Sequence, residues 1–455
     1  MRDRFWRTGP AALTLAFAAC GGSTSGGTGG GGASPSIAQS AVVREPLASV
    51  SQAAIAGAVA ANNDFAIDLF THVRADVPAD NLLTSPMSAS LALTMTYAGA
   101  AGTTATQMAT ALHFGAAAGS ITDGQNVLSQ LFAKRGPDAL EAAAQTASDN
   151  GGPAPSPDDY QLQVVNSVWG QNAYPWEQPF LDVLARSYGA GVFLEDFAAQ
   201  PDPARLAINS WVSARTADKI MNLLPEGSID GDTRMVLVNA IHLKMPWTMP
   251  FDAGATMPGT FTTASGAAVS ASFMNNTTDL GYVDDGQAQI VSIPLAGGDL
   301  RVVIALPHGD LGAYEDGLTS SSRAFQPLGS AMVALSLPKV AFTSPTFSLA
   351  KSLKAMGMND AFDMTNASFS KMCADPPDGN LYIEDVLQKA MLAMQETGVE
   401  AAAATAVIVA RTTGGDPGMP VSIVVNQPFL VAIIDSTGAI LFLGHIDDPT
   451  QTGSP

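Results

Sequence analysis

The sequence predicts an α+β fold, and three observations carry that prediction. Helical periodicity is concentrated in the first half of the chain. From Met235 onward, β-branched and apolar runs of strand length take over: "MVLVNAIHL", "QIVSIPL", "LRVVIALP" and "ALSLPKVAF". The chain then closes on two apolar arms, "FLVAIID" and "AILFLGHI", joined by a Ser-Thr-Gly turn. That pattern is a hairpin with both arms buried.

The first helix is expected behind Asn62 and Asn63, which can cap it, because Phe65, Leu69, Phe70 and Val73 share one helical face. A second starts in "TSPMSASLALTMTYAGA", with Ser85 as N-cap and Pro86 as first helical residue. A third begins near Thr104, where Gln107 is spaced to close a capping box. Residues 136–159 are poor in bulky apolar side chains and rich in Ala, Pro, Asp and Ser, so they read as a surface insertion. After them "YQLQVVNSVWG" reads as strand. "WEQPFLDVLARSYGA" and "PARLAINSWVSARTADKIMNLL" read as helices.

At 455 residues, length alone suggests two or three domains. The 47% hydrophobic content is ample for a large core, and no internal repeat breaks the chain into units. The formal charge is −20, from 41 acidic and 21 basic residues. Such a field repels nucleic acid and anionic membrane surfaces, so neither is an expected partner, and a polyanionic cofactor is disfavoured too.

The opening "MRDRFWRTGPAALTLAFAAC" has a basic start, a short apolar run and a small-residue end, which is an export signal rather than a membrane span. It ends at Cys20 in a sequence similar to a bacterial lipoprotein box, with Phe17 where leucine is usual. Lipidation of Cys20 would make the protein a cell-envelope lipoprotein, held to the membrane by its lipid alone. Glycine rather than aspartate follows Cys20, which by the same resemblance points to the outer membrane. A plain secretory signal cut nearby would leave the protein extracellular. Residues 21–61 are expected to tether the body, beginning with a Gly/Ser-rich leash. That leash contains a formal G-x-G-x-x-G at Gly27, Gly29 and Gly32, dismissed because no strand precedes it and no helix follows. The other cysteine, Cys373, is expected to be unpaired.

No G-x-S-x-G elbow, Walker loop or metal-ligand spacing occurs. His72, His113, His242, His308 and His445 each read as satisfied surface or core residues. The sequence therefore predicts no catalytic residues, no metal and no cofactor.

One segment remains: "MQETGVEAAAATAVIVARTTGGDPGMP", Met394 to Pro420. Alanine favours helix, yet the four alanines lead into a β-branched run that favours strand. The pattern suits a segment exposed in one state and buried in another. Small side chains let it slip between existing strands. On strand alternation, Val399, Ala401, Ala403 and Thr405 would face one side, and Glu400 and Ala402 the other, with Gly398 as hinge.

From about Asn62 to Pro449 the sequence resembles the serpins. "ETGVEAAAAT" looks like the proximal hinge of an inhibitory member. "NLLTSPMSASLALTMTYAGAAGTTATQM", "TADKIMNLLPEGSIDGDTRMVLVNAIHLKMPWTMPFD", "NQPFLVAII" and "LFLGHIDDP" match family signatures in order. The resemblance implies one domain over 62–449, with three β-sheets, eight or nine helices and an exposed reactive-centre loop. It implies a non-enzymatic, monomeric inhibitor of serine proteases, with cysteine proteases as a second target class. The protease cleaves the loop as a suicide substrate, the freed loop inserts into the main sheet, and the displaced acyl-enzyme stalls. Such a native fold is metastable.

By the same resemblance Glu396, Gly398, Val399, Glu400, Ala401, Ala402, Ala403 and Ala404 are hinge positions. Val399 stands where inhibitors usually carry Thr or Ser. Ser85, Ser88 and Asn239 match the shutter, with Gln388 where histidine is common, and Trp247 matches the breach. The usual spacing of 17 residues from Glu396 puts the cleaved bond at Thr412–Thr413, suiting an elastase-like protease. A loop one residue shorter puts Arg411 there, suiting a trypsin-like one. A non-inhibitory serpin, binding or chaperone-like, is the alternative, and an adhesive lipoprotein ranks third.

Overall fold

The computed structural model describes residues 35–76, 81–377, 379–400 and 419–452. The leader with Cys20, the Gly/Ser leash up to Ser34, Ala401–Ala404, Arg411, Thr412 and Thr413 lie outside the described residues. From Pro35 onward the chain forms one unit.

Helices come early and strands late, as the periodicity predicts. The long helices are α1 (Gln52–Asp76), α2 (Pro86–Tyr97), α3 (Gly102–Ala111), α4 (Ile121–Asp149), α5 (Gln178–Tyr188) and α6 (Pro201–Arg215). Two short ones, α7 (Leu311–Asp316) and α8 (Ala350–Ala355), follow among the strands.

The strand-rich half gives the body its sheets. The first runs β1 (Ser36–Ala38), β4 (Val192–Glu195), β3 (Gln161–Gln171) and β5 (Met235–Pro246). Beyond β5 lie β13 (Val386–Lys389) and β12 (Phe347–Ser348) at one end, and β15 (Gly398–Val399), β14 (Met391–Gln395) and β11 (Val340–Thr343) at the other. β5 is almost wholly buried, which explains its largely apolar sequence.

The remaining strands hydrogen-bond through β7 (Ala268–Asp284), 17 residues long. β6 (Met257–Thr262) pairs with the first residues of β7, β10 (Gly329–Pro338) pairs with β7 from Phe273 to Tyr282, and β16 (Val421–Val424) runs parallel to β10. The last four residues of β7 pair with β8 (Ala288–Pro294). β9 (Leu300–Pro307), β17 (Phe429–Asp435), β18 (Ile440–Ile446) and β2 (Leu82–Thr84) continue that sheet. The closing hairpin β17–β18 is buried on both arms, as its sequence predicts.

Several local expectations are corrected. α1 begins at Gln52, ten residues before Asn62, and the chain is already structured from β1, so the tether does not reach residue 61. Asn62 and Asn63 do not cap. They are buried inside α1, where Asn62 bonds Ser90 and Gln125 and Asn63 bonds the Gly438 carbonyl. Residues 136–159 are not a loop insertion: α4 continues through Pro137 to Asp149. That half of the helix is largely exposed, so alanine's helix propensity suffices there without bulky apolar residues. Ser85 precedes α2 but its hydroxyl makes no cap bond. Thr104 and Gln107 bond the backbone of Ser368 and Asp360 rather than closing a box on α3. α6 stops at Arg215, short of the predicted helix, because Ala217 and Asp218 take left-handed φ of 49° and 59°.

Cys373 is free and buried, and burial pushes its thiol pKa up. All five histidines lie against a carboxylate: His72 and His113 on Asp68, His242 on Glu400, His308 on Asp284 and His445 on Glu315.

Candidate functional site

The seam between β5 and the β13–β14 strand is closed at one end and wedged at the other. Residues 237–240 of β5 pair in parallel with β13. At the other end β14 stops at Gln395, the chain turns through Glu396 and Thr397, and β15 doubles back between β14 and β5. Val399 lies opposite Met394 on one side and Met245 on the other; Gly398 lies opposite Gln395 and Pro246. Among the described residues, no strand pairs with positions 241–244 of β5 on this edge, although β3 holds them on the other.

Each hinge residue has a distinct task. Gly398 is needed for room rather than for rotation. A Cβ there would sit 2.3 Å from the Met245 carbonyl oxygen and 2.6 Å from Pro246 Cα. Val399 is 2% exposed, its side chain enclosed by the strands it separates. The unusual backbone belongs to Glu400, with φ of 46°, which turns the chain out of the strand path after its N–H bonds the Ala393 carbonyl at 2.6 Å.

The hinge is anchored by charge on both sides. Glu396 takes Lys339 Nζ at 2.8 Å and the Thr256 hydroxyl at 2.9 Å. Burial raises its carboxyl pKa, but Lys339 and the neighbouring donors outweigh that and hold it below the usual range. The buried Glu400 carboxylate contacts His242 Nε2 at 2.5 Å and pairs with Lys219 Nζ at 2.8 Å. Here too burial raises the carboxyl pKa, and His242 with Lys219 lowers it further than burial lifts it. The left-handed pair Ala217 and Asp218 ends α6 and brings Lys219 to this place.

Trp247 sits at the mouth of the wedge, 2% exposed. Its indole N–H bonds the Gln395 carbonyl at 2.7 Å, and its backbone N–H bonds the Thr397 carbonyl at 3.0 Å.

At the closed end, Gln388, Asn239 and Asn166 form a row across β13, β5 and β3. The Gln388 amide accepts from the Ser85 N–H at 3.0 Å and donates to the Ser85 carbonyl at 2.9 Å and to Asn239 Oδ1 at 3.1 Å. Ser88 donates to Asn166 Oδ1 at 2.7 Å. Ser85 Oγ donates to the Leu441 carbonyl. The structure therefore brings Glu396, Gly398, Val399, Glu400, Trp247, Ser85, Ser88, Asn239 and Gln388, the described residues expected as hinge, breach and shutter, to one seam.

Sequence reasoning missed Lys219, Lys339 and Thr256. Nothing in their local sequence marks them, since each acts from a different element. His242 had a signal: a lone imidazole among the apolar residues of β5, which a buried partner must satisfy. No cluster of metal-ligating groups occurs among the described residues, and no described helix is long and apolar enough to cross a membrane.

A body whose main sheet takes the two-residue strand β15 between β14 and β5 belongs to a class of strand-accepting proteins. The family model described as "Serpin (serine protease inhibitor)" matches residues 60–449. Human plasminogen activator inhibitor 2 is 33% identical over 418 residues, covering 86% of this chain and 99% of its own. A serpin-like protein of Methanosarcina acetivorans is 30% identical over 407 residues, covering 88% and 89%. The native structure of the thermophilic serpin tengpin is 27% identical, with a TM-score of 0.75, covering 90% and 97%. A thyroxine-binding globulin structure in complex with thyroxine is 26% identical, with a TM-score of 0.70, covering 86% and 99%. The chain belongs to the serpin family.

Proposed function

We propose that this serpin inhibits serine endopeptidases as a suicide substrate, its cleaved loop entering the main sheet beside β5. The observation that carries the reading is the wedge: Gly398 and Val399 already pair between β14 and β5. Strand addition along residues 241–244 would continue that pairing in the same antiparallel sense. Successive residues that zip in would hydrogen-bond alternately to the strand on one side and the strand on the other, and the alanines at 401–404 would meet little steric resistance. Glu400 must leave its left-handed conformation and give up its contacts with His242 and Lys219 for zipping to proceed.

The protein is mixed with trypsin and, separately, with pancreatic elastase, then boiled in SDS. A band at the summed mass supports the covalent trap, and the mass of the released fragment places the cut after Arg411 or Thr412. Cleavage without any such band at every ratio would move a binding role to first place. That second reading is favoured by the likeness to thyroxine-binding globulin. For location, the reading is an exported envelope protein lipidated at Cys20. Labelling with a radioactive fatty acid that survives in a Cys20→Ser variant would refute it.

A further inference from the structure

Two adjoining cavities of 620 and 390 Å³ lie beside β3, across β5 from the wedge. Both are lined by Arg44, Asn166, Tyr188, Ala190 and Arg215. The larger has an apolar wall of Leu91, Met95, Leu162 and Val164.

The charge on these walls is out of keeping with the chain. Acidic residues outnumber basic ones 41 to 21, yet the linings hold two arginines and no carboxylate. Arg44 bonds only neutral acceptors: Asn126 Oδ1 at 3.0 Å, the Asn126 carbonyl at 3.4 Å and Ser129 Oγ at 2.6 Å. Arg215 lies 4.1 Å over the Trp211 ring and bonds that residue's carbonyl. Among the described residues neither guanidinium has a counter-ion, and burial disfavours the charged form of both. A third group points the same way. The Tyr188 hydroxyl is buried and bonds nothing, as is Gln163 Oε1 in the larger cavity. A buried phenol donor without a partner is costly unless something fills the space beside it.

We propose that this cavity binds a small monocarboxylate with an apolar body, such as a medium-chain fatty acid. The carboxylate is held by Arg44 and Arg215 and accepts from the Tyr188 hydroxyl. The hydrocarbon lies on Leu91, Met95, Leu162 and Val164. The volume is of the order that small-ligand sites occupy, apolar walls with a few convergent polar groups. A cation is excluded by the arginines. A fully polar anion such as phosphate leaves the apolar wall uncovered.

The test is calorimetric titration of the protein with sodium octanoate and, in parallel, with 1-octanol, which has the same body and no charge. Octanoate should bind at one saturable site, with octanol weaker by about tenfold or more. Arg44→Gln and Arg215→Gln should each weaken octanoate by a similar factor and leave octanol unchanged. Arg215 is exposed at the mouth and bonds only to its own helix, so its variant keeps the fold. Ala133→Trp, at an exposed position of α4 on the cavity rim, should abolish both. Thermal unfolding of each variant without ligand checks its integrity. The absence of saturable octanoate binding would overturn the proposal. So would octanol binding as tightly as octanoate, or octanoate binding that survives Ala133→Trp.

Discussion

Gly398→Ala tests the wedge directly. The new methyl would lie 2.3 and 2.6 Å from backbone atoms of Met245 and Pro246, far inside contact distance, and backbone cannot rotate away as a side chain can. β5 cannot retreat either, because residues up to Lys244 are held by β3 on its far edge. The hinge must therefore withdraw. It then loses the burial of Val399, worth about 1.5–3 kcal/mol, and ladder hydrogen bonds worth about 1 kcal/mol each. Roughly 4 kcal/mol that favours the wedged state disappears, equivalent to about a thousandfold in population. Hydrogen exchange of the peptide spanning 394–400 should rise accordingly. The emission of Trp247 should shift to the red, since withdrawal of the hinge opens its buried indole to water. Unchanged protection together with unchanged emission would refute the steric argument. The inserting loop meets the same clash, so the proposed trap should give less SDS-stable complex and more cleaved serpin.

Glu400→Gln leaves His242 and Lys219 without their counter-charge and should cost about 3 kcal/mol in urea unfolding. The parent's folded carboxyl pKa lies below its ordinary 4.5, so its contribution is complete above that value and lost as pH falls through the depressed one. The gap between parent and variant should therefore close in acid. Gln388→Ala strands the Ser85 N–H and Asn239 Oδ1 in a buried row and should lower stability by about 2–4 kcal/mol, read from the urea midpoint. Val399→Asp puts an unpaired charge where 2% of the side chain sees solvent. It should leave loop cleavage intact while lowering complex formation at least tenfold, and a parent-like yield on the gel would contradict the insertion mechanism.

Much of this was legible in the sequence because it rests on local pattern. The buried hairpin β17–β18, the long apolar β5 and the hinge composition announce themselves through spacing alone. Boundaries were less legible. Asn62 reads as a cap because asparagine favours caps, but a tertiary demand prevails: Ser90 and Gln125 need a buried partner. The alanine-rich half of α4 reads as a loop because a solvent-facing helix needs no apolar stripe when its residues are good helix formers. The anchors of the hinge were illegible for a different reason. Lys219 and Lys339 lie about 180 and 57 residues before the carboxylates they meet, and only the fold makes them neighbours. Gly398 was read as a source of freedom, and its use is the absence of a side chain.

The last long strand in sequence is an interior strand in space. β18 lies between β17 and β2, and its neighbourhood satisfies groups made far earlier. Asn63 exchanges hydrogen bonds with Gly438 and Ile440, Thr84 donates to Leu443, and Ser85 donates to Leu441. These partners are separated by 356 to 377 residues. A chain leaving the ribosome carries those polar groups unmatched until β18 emerges. Many domains settle as they are synthesised, amino-terminal part first; this one completes its core only once residues 438–443 have been made. A chain cut before residue 438 would leave Asn63, Thr84 and Ser85 without the partners that they bond here.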